Sequence, residues 1–436
     1  MSVNQSIMPI TAERKNGVLN IGGCDTVELA KKYGTPLYII DEKSIRQMAR
    51  EYKTSFKNFG NIRFMYASKA LCTTVITKIL DEEGFGFDAV SAGEIYTIYK
   101  AGTDMKKVLF NGNNKSRNEI ELALDLDVGR FSVDNFHEAE MLNTIAAERN
   151  KIVDILLRIT PGIECHTHNY IQTGQTDSKF GFDLTQLDEI IKLIKNKYTN
   201  LKLRGLHAHI GSQIFELKSF ADEIEILIQE IQRINNIYNL NLDEMNIGGG
   251  LGVKYTEDDT PPAVEEFANV VHMVLEKYTN NVPTIYLEPG RSIVSTAGVT
   301  LYSVGSSKIA PNCRKYIAVD GGMADNPRPS MYQAKYTAQI ANNTQGRNNE
   351  IVTIAGRYCE SGDILIDNIT LPSPIFGDIL CVFNTGSYNY SMSSNYNCVQ
   401  KPAMVLVNNS QSDIIVNRES LEDLISRDKI PEKFRK

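Results

Sequence analysis

The feature that most constrains this 436-residue chain is a regular alternation of short apolar segments and amphipathic helical patterns between residues 62 and 287. Eight apolar segments have the length and composition of buried strands, and a helical pattern follows most of them. They are residues 62–67, 85–89, 108–111, 130–133, 155–160, 203–209, 245–247 and 284–287. Eight strand-then-helix units predict a (β/α)8 TIM barrel. An open doubly wound sheet is the alternative, although it usually has fewer strands.

The pattern changes after Arg291, where alternating segments rich in β-branched residues replace long helices. Turn sequences such as Asn342-Asn343 and Gly362-Asp363 separate these segments, so we predict an all-β, antiparallel domain. Its strands are expected at residues 299–308, 316–319, 336–340, 351–354, 364–366, 379–382, 404–407 and 414–416. The predicted fold class is α/β plus all-β. The barrel spans 37–291, the C-terminal β domain spans 292–436, and the N-terminal segment 1–36 has strands that join the β domain.

Composition argues against several classes of partner. The formal net charge is -7 and 23% of residues are charged, which disfavours nucleic acid and anionic membranes as partners. No apolar run approaches the roughly 18 to 20 residues of a membrane span, and the first 20 residues lack the apolar core of a signal peptide. We therefore expect a cytoplasmic protein. The seven cysteines are residues 24, 72, 165, 313, 359, 381 and 398. They include no metal-type CxxC pair, so we expect most of them to be reduced thiols.

Lys69 follows the first predicted strand, within Tyr66-Ala67-Ser68-Lys69-Ala70. A strand end can hold an amine at the mouth of a cavity, which suits a lysine that forms a Schiff base. A lone lysine at such a position is more often a solvated loop residue. The functional interpretation of Lys69 therefore depends on motifs further along the chain.

Two of those motifs follow the seventh and eighth predicted strands: Gly248-Gly249-Gly250 and Glu288-Pro289-Gly290-Arg291. Barrel active sites lie at the C-terminal ends of the strands, and phosphate commonly binds the loops after strands seven and eight. Glycines let backbone N–H groups approach an anion closely, although a sharp turn is the commoner reason for a glycine run. Glu288 either pairs with Arg291 or binds a protonated pyridine nitrogen.

His207 and His209 lie two residues apart on the sixth predicted strand, so both are expected to point the same way. Core packing and metal binding are alternatives, but no third ligand at metal-like spacing is evident, and no metal site is predicted. Ser212 follows at the strand's end, where it could reach a phosphate. Together with Lys69 and Glu288, these residues predict a pocket for a phosphorylated pyridine aldehyde.

Nine motifs carry a resemblance that covers nearly the whole chain. They are YASKA (66–70), GFDAVSAGE (86–94), the TG…SKFG stretch (173–181), HIGSQ (209–213), GGGLG (248–252), EPGR (288–291), RPSMY (328–332), CESGD (359–363) and GSY (386–388). In these motifs the chain resembles the alanine-racemase-like, fold type III enzymes that use pyridoxal 5'-phosphate (PLP). Within that family it resembles the diaminopimelate decarboxylases, because CESGD and RPxxY favour diaminopimelate over ornithine.

The resemblance implies a role for each matching residue. Lys69 would form the Schiff base with PLP, His209 would stack on the ring, and Glu288 would hold the ring nitrogen. The remaining cofactor-binding positions would be Asp88, Ser212, Gly248, Gly249, Gly250, Pro289, Gly290, Arg291 and Tyr388. The implied substrate-binding positions are Arg291, Arg328, Tyr332, Glu360 and Tyr388.

Cys359 is implied to be the catalytic proton donor that acts after CO2 leaves, with Glu360 taking the distal ammonium of the substrate. In the family these two residues come from the partner chain, so the resemblance also implies a homodimer with shared active sites. The expected partner is a small-molecule amino-acid substrate, and the expected reaction converts meso-diaminopimelate to L-lysine.

Asp325-Asn326-Pro327 departs from the family pattern, which usually has apolar residues before Arg328. Alternative substrates are therefore another basic amino acid (ornithine, arginine or lysine) or carboxynorspermidine. A PLP-binding regulator without catalysis is the alternative of a different class, but it would be expected to lose Lys69 or Cys359. A racemase is less favoured, because it would need a tyrosine as an acid opposite the lysine, whereas Cys359 resembles a one-way proton donor.

Overall fold

The computed structural model describes residues 2–163, 178–278, 282–311 and 313–435. Its chain forms two compact units. The first comprises Met1–Ser6, Ile45–Lys254 and Asp258–Val294, and the second comprises Ile7–Ser44, Tyr255–Glu257 and Ser295–Lys436. Cys165 and residues 173–177 of the TG…SKFG stretch lie outside the described residues.

The N-terminal part of the second unit contains four strands and a helix. Their bounds are β1 (Glu13–Lys15), β2 (Val18–Ile21), β3 (Cys24–Asp25), α1 (Thr26–Tyr33) and β4 (Leu37–Asp41). Strands β1 to β3 form a small antiparallel sheet of their own. Asp25 caps α1 by accepting hydrogen bonds from the N–H groups of Val27 and Glu28. The helix α2 (Glu42–Ser55) follows.

Eight parallel strands of the first unit close into a barrel. They are β5 (Ile62–Ala67), β6 (Gly86–Ala89), β7 (Val108–Phe110), β8 (Arg130–Val133), β9 (Val153–Thr160), β11 (Leu201–His207), β12 (Glu244–Asn246) and β13 (Thr284–Leu287), with a short β10 (Phe182–Asp183) paired to β9. The pairing of β13 with β5 and of β8 with β9 completes the ring. The predicted TIM barrel is therefore confirmed.

Most helices of the first unit bury an apolar stripe. In α7 this stripe is Leu187, Ile190, Ile191 and Ile194, at the spacing that places side chains on one helix face. The helices are α3 (Thr74–Glu82), α4 (Ala92–Lys100), α5 (Arg117–Asp125), α6 (Phe136–Glu148), α7 (Leu187–Asn196), α8 (Lys218–Tyr238), α9 (Val264–Leu275) and the short α10 (Arg291–Val294).

The sixth barrel strand ends earlier than its sequence predicts. It ends at His207, and the N–H of Ala208 makes one more bond, 2.9 Å long, to the Asn246 carbonyl. The chain then leaves the sheet, and Ile214 pairs with the glycine loop through the carbonyl of Gly250 at 2.9 Å. The expectation that His207 and His209 share the strand is therefore wrong for His209, which lies in the loop.

The second unit is built on a nine-stranded sheet. Its remaining strands are β14 (Gly298–Ala310), β15 (Arg314–Val319), β16 (Ala338–Ile340), β17 (Asn349–Ala355), β18 (Ile364–Pro372), β19 (Ile379–Phe383), β20 (Ala403–Asn408) and β21 (Gln411–Val416). The main strand order is β18-β17-β15-β14-β4-β20-β21, with β19 pairing to β14 and β16. All eight segments expected after residue 291 form strands.

Two details of the second unit differ from expectation. The sheet is mixed, because β15 pairs parallel to β17 and β4 pairs parallel to β20, so the antiparallel description is wrong for these pairs. Strand β4 hydrogen-bonds between β14 and β20 rather than joining the barrel, although the barrel was expected to begin at residue 37. All five of its residues are buried, which is typical of a strand central to a sheet.

The remaining short helices are α11 (Arg328–Tyr332) and α12 (Leu421–Ile425), and 3-10 helices at Val3–Gln5, Ser68–Ala70, Met105–Lys107, Leu184–Gln186, Tyr390–Met392, Tyr396–Cys398 and Glu432–Phe434. Among the described residues, no helix has the length and apolar character needed to cross a membrane.

Candidate active site

Lys69 lies at the C-terminal end of the barrel, in the 3-10 helix directly after β5. Its side chain is 38% exposed, and Nζ lies 4.0 Å from Oδ2 of Asp88 at the end of the neighbouring strand β6. The N–H of Ala67 donates to the Pro289 carbonyl over 3.1 Å, which ties this strand end to the loop after β13. Strand closure therefore brings Lys69 and the segment 288–291 to the same rim.

Glu288 is a buried acid at this rim whose carboxylate contacts several polar side chains. It is 4% exposed, and its Oε1 accepts hydrogen bonds from Nδ2 of Asn246 at 2.7 Å and of Asn111 at 3.4 Å. Its Oε2 lies 3.5 Å from Nε2 of His207, whose Nδ1 lies 2.7 Å from the Ser132 hydroxyl. Burial alone would raise the pKa of Glu288, but His207 and Lys69 outweigh it and lower that pKa. Glu288 is therefore held as a buried anion.

Asp88 shows the opposite behaviour. It is 1% exposed, and burial together with the charge of Glu288 raises the pKa of its carboxyl group. Its Oδ1 accepts from Asn111 Nδ2 at 2.8 Å, whereas Oδ2 has no hydrogen-bond partner in the described part of the chain. Two neighbouring buried carboxyl groups cannot both ionise cheaply, so the proton is expected on Asp88.

The triglycine loop packs against both neighbouring strand ends. The Gly248 N–H donates to Oδ1 of Asn246 at 2.9 Å, and the Glu288 N–H donates to the Gly248 carbonyl at 2.6 Å. A Cβ on Gly249 would lie 2.0 Å from the Glu288 carbonyl oxygen, and Gly248 has a φ of +60°. Close approach and backbone conformation thus both require glycine here.

His209 lies in the loop after β11, beside this glycine run. Its Nδ1 accepts from the Gly249 N–H at 3.3 Å. Burial, followed by the positive charges of Lys69 and Arg158, lowers its pKa well below the usual value. The imidazole is therefore neutral at physiological pH, and an uncharged ring suits stacking on another ring.

Arg291 and Ser212 form a separate polar group on the rim. Arg291 is 6% exposed and donates to the Ser212 hydroxyl through Nε at 3.2 Å and Nη2 at 3.0 Å. Gly290 precedes it, and a Cβ there would lie 2.9 Å from the Ala67 Cβ. The positive side chain and the hydroxyl supply donors of the kind that bind phosphate.

In the second unit, Arg328 begins the short helix α11 and is 7% exposed. Its Nη1 donates to the hydroxyls of Tyr336 at 2.7 Å and Tyr255 at 2.9 Å. The guanidinium lies 4.9 Å from the centre of the Tyr255 ring. Among the described residues it forms no ion pair with a carboxylate, so this buried cation is surrounded by phenol groups.

The CESGD loop of the same unit lies beside α11. Ser330 donates to the Gly362 carbonyl at 2.9 Å, and Asp363 accepts from the N–H groups of Met323 and Tyr358. Asp363 is therefore a structural anchor of this loop. Cys359 and Glu360 are exposed; the Cys359 N–H bonds to Asn397, and Glu360 accepts from the Tyr396 hydroxyl.

Three further residues of the second unit were either predicted to bind a ligand or stand out in the structure. Tyr332 and Tyr388 are half-buried, and Tyr388 has a φ of +61°, a conformation that non-glycine residues rarely adopt. Asp325 is buried, and its carboxylate accepts from the Tyr302 hydroxyl at 2.5 Å and the Gly322 N–H at 2.9 Å. This residue of the Asp325-Asn326-Pro327 sequence therefore fixes the turn that precedes Arg328.

The structure also reveals polar residues that the sequence motifs did not single out. Asn111, Asn246 and Ser132 supply hydrogen bonds around Glu288 and His207, and each is at most 3% exposed. The available signal was a polar residue at the end of an otherwise apolar strand, such as Leu109-Phe110-Asn111. That signal does not reveal which acid the residue contacts.

The residues of the barrel rim fit a phosphorylated pyridine aldehyde. Lys69 provides an amine, Glu288 a carboxylate for a protonated ring nitrogen, and the glycine loop a backbone that a ligand can approach closely. Asp88 Oδ2 and Asn111 Oδ1 are buried polar atoms without a hydrogen-bond partner among residues 2–163, 178–278, 282–311 and 313–435. Such atoms mark a polar site that the protein alone leaves incomplete.

Comparison with known proteins gives matches over nearly the whole chain. Residues 42–295 match the family model described as pyridoxal-dependent decarboxylase, pyridoxal binding domain. The chain is 46% identical to a diaminopimelate decarboxylase of Synechocystis, covering 99% of this chain and 95% of that protein. Identity to the diaminopimelate decarboxylase of Bacillus subtilis is 45%, with 95% and 96% covered. A crystal structure of the M. jannaschii diaminopimelate decarboxylase with L-lysine gives a TM-score of 0.93 at 33% identity, covering 99% of this chain and 100% of that one.

Proposed function

The chain belongs to the pyridoxal-dependent decarboxylase family and uses pyridoxal 5'-phosphate, and from this premise we propose that it converts meso-2,6-diaminopimelate to L-lysine and CO2. When bound, the protonated ring of the cofactor accepts the electron pair left by the departing carboxylate. The reaction would be the last step of lysine biosynthesis, and the chain would act in the cytoplasm.

The observation that carries the catalytic proposal is that Lys69 and the buried acid Glu288 lie at the same barrel rim. Lys69 would bind the cofactor's aldehyde carbon covalently, because its amine is accessible and lies beside Asp88. Glu288 would hold the proton of the ring nitrogen, because the surroundings of this buried carboxyl group lower its pKa. His209 would lie against the ring as a neutral imidazole.

The phosphate would bind the donors of the same rim. Arg291 and Ser212 already share two hydrogen bonds, so both groups are positioned before any ligand arrives. The backbone of Gly248 to Gly250 and the segment Pro289-Gly290 would complete the cradle, with Tyr388 contributing its hydroxyl. Preorganised donors bind an anion without a further ordering cost.

Arg328 supports the choice of a substrate with two carboxylates. A buried guanidinium without a carboxylate partner is costly unless a ligand supplies one. Diaminopimelate has a distal carboxylate, which ornithine and lysine lack. We therefore assign Arg328 to a substrate carboxylate, assisted by Arg291, Tyr332 and Tyr388, with Glu360 binding the distal ammonium.

Exposure of Cys359 and Glu360 supports a homodimer with shared sites. A proton donor that acts on a carbanion must be shielded from bulk water, but both side chains are exposed in the single chain. A second copy would cover them and receive them into its own site. Cys359 would then return a proton to the carbon from which CO2 has left.

The substrate assignment is tested by measuring CO2 release with the purified chain and PLP. Diaminopimelate is expected to be decarboxylated, and ornithine, arginine, lysine and carboxynorspermidine are expected to be poor substrates. Arg328→Met should lower kcat/KM for diaminopimelate, while Arg357→Met serves as the control on a nearby arginine. Preferred turnover of ornithine or carboxynorspermidine would refute the assignment.

The shared site is tested by mixing two variants of strongly reduced activity. Lys69→Ala lacks the amine, and Cys359→Ala is expected to keep the cofactor while losing turnover by roughly 10²-fold, the scale of a lost general acid. Mixed dimers would contain one intact site built from the two unaltered residues. Recovery of activity after subunit exchange supports the dimer, and absence of recovery in a mixture shown to exchange subunits contradicts it.

A further inference from the structure

Asn111 lies between the two buried acids of the barrel rim. It follows β7 and is 3% exposed, and its single amide nitrogen is 2.8 Å from Asp88 Oδ1 and 3.4 Å from Glu288 Oε1. An amide nitrogen carries two hydrogens, so it can donate one to each carboxyl group. The opposite orientation would place the amide oxygen 3.4 Å from Oε1 of the Glu288 anion, and electrostatic repulsion disfavours it.

The loop that carries Asn111 is fixed independently of the two acids. The Asn111 N–H donates to the Ala89 carbonyl at 2.7 Å. Lys115, buried in the same loop, donates to the carbonyls of Gly112 at 2.7 Å and Ser132 at 2.8 Å. Its ammonium also pairs with Glu138 at 2.7 Å, and both side chains are almost completely buried. The amide of Asn111 is therefore presented from a rigid support.

The two acids differ in their other contacts. Glu288 also accepts from Asn246 and lies 3.5 Å from His207, whereas Asp88 Oδ2 faces the Lys69 ammonium at 4.0 Å. Burial and the charge of Glu288 raise the pKa of Asp88. The charged and titratable groups acting on this pair are Lys69, Glu94, Arg158, His207, His209 and Glu223. One bridging donor thus serves an anion on one side and a protonated acid on the other.

We propose that Asn111 is a positioning residue that holds the carboxyl groups of Asp88 and Glu288 in place at the rim, so that Glu288 faces the ring nitrogen as the anion. This inference rests on the proposed function, because it assigns Glu288 to the cofactor's ring. We assign Asn111 no direct contact with the substrate. It acts by holding the two carboxyl groups in place.

The test compares Asn111→Leu, which has similar size and no donor, with Asn111→Asp, which has the same shape and donates only when protonated. Asn114→Leu is the matched control, because Asn114 is exposed in the same loop. Each variant is bound to PLP, and the pH dependence of the cofactor's visible absorbance is recorded alongside kcat and KM. Thermal unfolding of each protein checks that the fold is retained.

Asn111→Leu should lower kcat by about 10-fold to 100-fold, the usual weight of an outer hydrogen-bond partner, with little change in KM. Its absorbance transition should move up by about one pH unit, because an acid that loses a donor holds its proton more tightly. Asn111→Asp should regain activity as the pH falls, since the carboxyl group that it introduces can donate a hydrogen bond once it is protonated.

Equal pH profiles for the Asn111→Asp and Asn111→Leu variants, or an unchanged absorbance transition in both, would overturn the proposal and leave Asn111 as a packing residue. Failure of the unaltered chain to decarboxylate diaminopimelate would count against the proposed substrate alone. The absorbance comparison uses no substrate and is independent of that result.

Discussion

The two ends of the barrel interior differ in how their charged side chains are paired. At the N-terminal end, Arg130 of β8 contacts the carboxylate of Glu244 on β12 through Nε at 2.9 Å and Nη2 at 2.7 Å, and Nη1 lies 3.1 Å from Asp154. At the C-terminal end, Asp88 and Glu288 share one bridging amide, and Asp88 Oδ2 has no hydrogen bond within the described ranges.

This difference separates stability from function. At the N-terminal end Arg130 pairs with Glu244 and Asp154, so removing one of these charges would leave its partner uncompensated. The C-terminal end keeps two buried acids, and Oδ2 of Asp88 has no hydrogen-bond partner among the described residues, so a ligand that supplies one gains free energy. Mutations at the two ends should therefore affect different measurements.

Lys69→Ala is expected to have the largest effect. Loss of the amine that bonds to the cofactor should reduce turnover by roughly 10⁴-fold or more, as for other covalent catalytic residues. The visible absorbance of the bound cofactor should disappear, while the melting temperature of the cofactor-free protein stays unchanged. Lys78→Ala, an exposed lysine in α3, is the control. A retained absorbance band in Lys69→Ala would contradict the assignment.

Arg130→Met should lower the stability of the fold and leave turnover unchanged. The buried Glu244 would lose its main partner, which should lower the free energy of unfolding by about 3 kcal/mol while the retained folded enzyme keeps its kcat. The double variant Arg130→Met/Glu244→Met removes both charges and should recover most of that loss. Denaturant unfolding measures both values, and equal destabilisation of the single and double variants would argue against a paired-charge role.

Glu288→Gln tests whether Glu288 serves function or stability, because glutamine keeps the shape of the side chain and removes its charge. Oε1 would still accept from Asn246, so the fold should be at least as stable in a thermal melt. Turnover should fall by about 10²-fold, the scale of one electrostatic contact in a site shielded from water. A large loss of stability without loss of turnover would place Glu288 with the structural charges.

Glu223 in α8 should give the smallest effect and provides the pH test. It is fully buried, both carboxylate oxygens lack partners among the described residues, and burial followed by the charge of Glu288 raises its pKa well above the usual value of 4.5. The folded state therefore holds this proton more tightly than the unfolded state does. Its stability contribution is present below about pH 4.5 and decreases as the pH rises toward the folded pKa.

Glu223→Gln should therefore raise the free energy of unfolding by about 1 to 2 kcal/mol at neutral pH, with the gain shrinking toward pH 4.5. Denaturant unfolding over a pH series measures this difference, with Asp222→Asn as the neighbouring control. A gain that does not depend on pH would show that Glu223 is not the titrating group.

Much of the fold was predictable because it depends on local pattern. The barrel strands β5, β8 and β13 begin and end at the predicted residues, since an apolar run bounded by polar residues is a local property. The glycine run and Glu288 were also predictable, because their positions after strands seven and eight follow from counting. Strand direction in the second unit was not, since β4 pairs with segments distant in the sequence.

The position of His209 and the role of Asn111 were missed for a related reason. Alternation along a strand does not predict where the strand leaves the sheet. Here the chain leaves the sheet after Ala208, and Ile214 then pairs with the glycine loop after β12. Likewise, a polar residue at a strand end does not reveal its partner. The partners of Asn111 come from β6 and from the loop after β13.

The sequence by itself determined the closed barrel, the β-rich second unit and the set of chemical groups available at the rim, because apolar periodicity and the order of motifs are written along the chain. Only the tertiary structure decided how those groups share charge. Burial and distance set which carboxyl group ionises, and both depend on strands that meet only when the barrel closes.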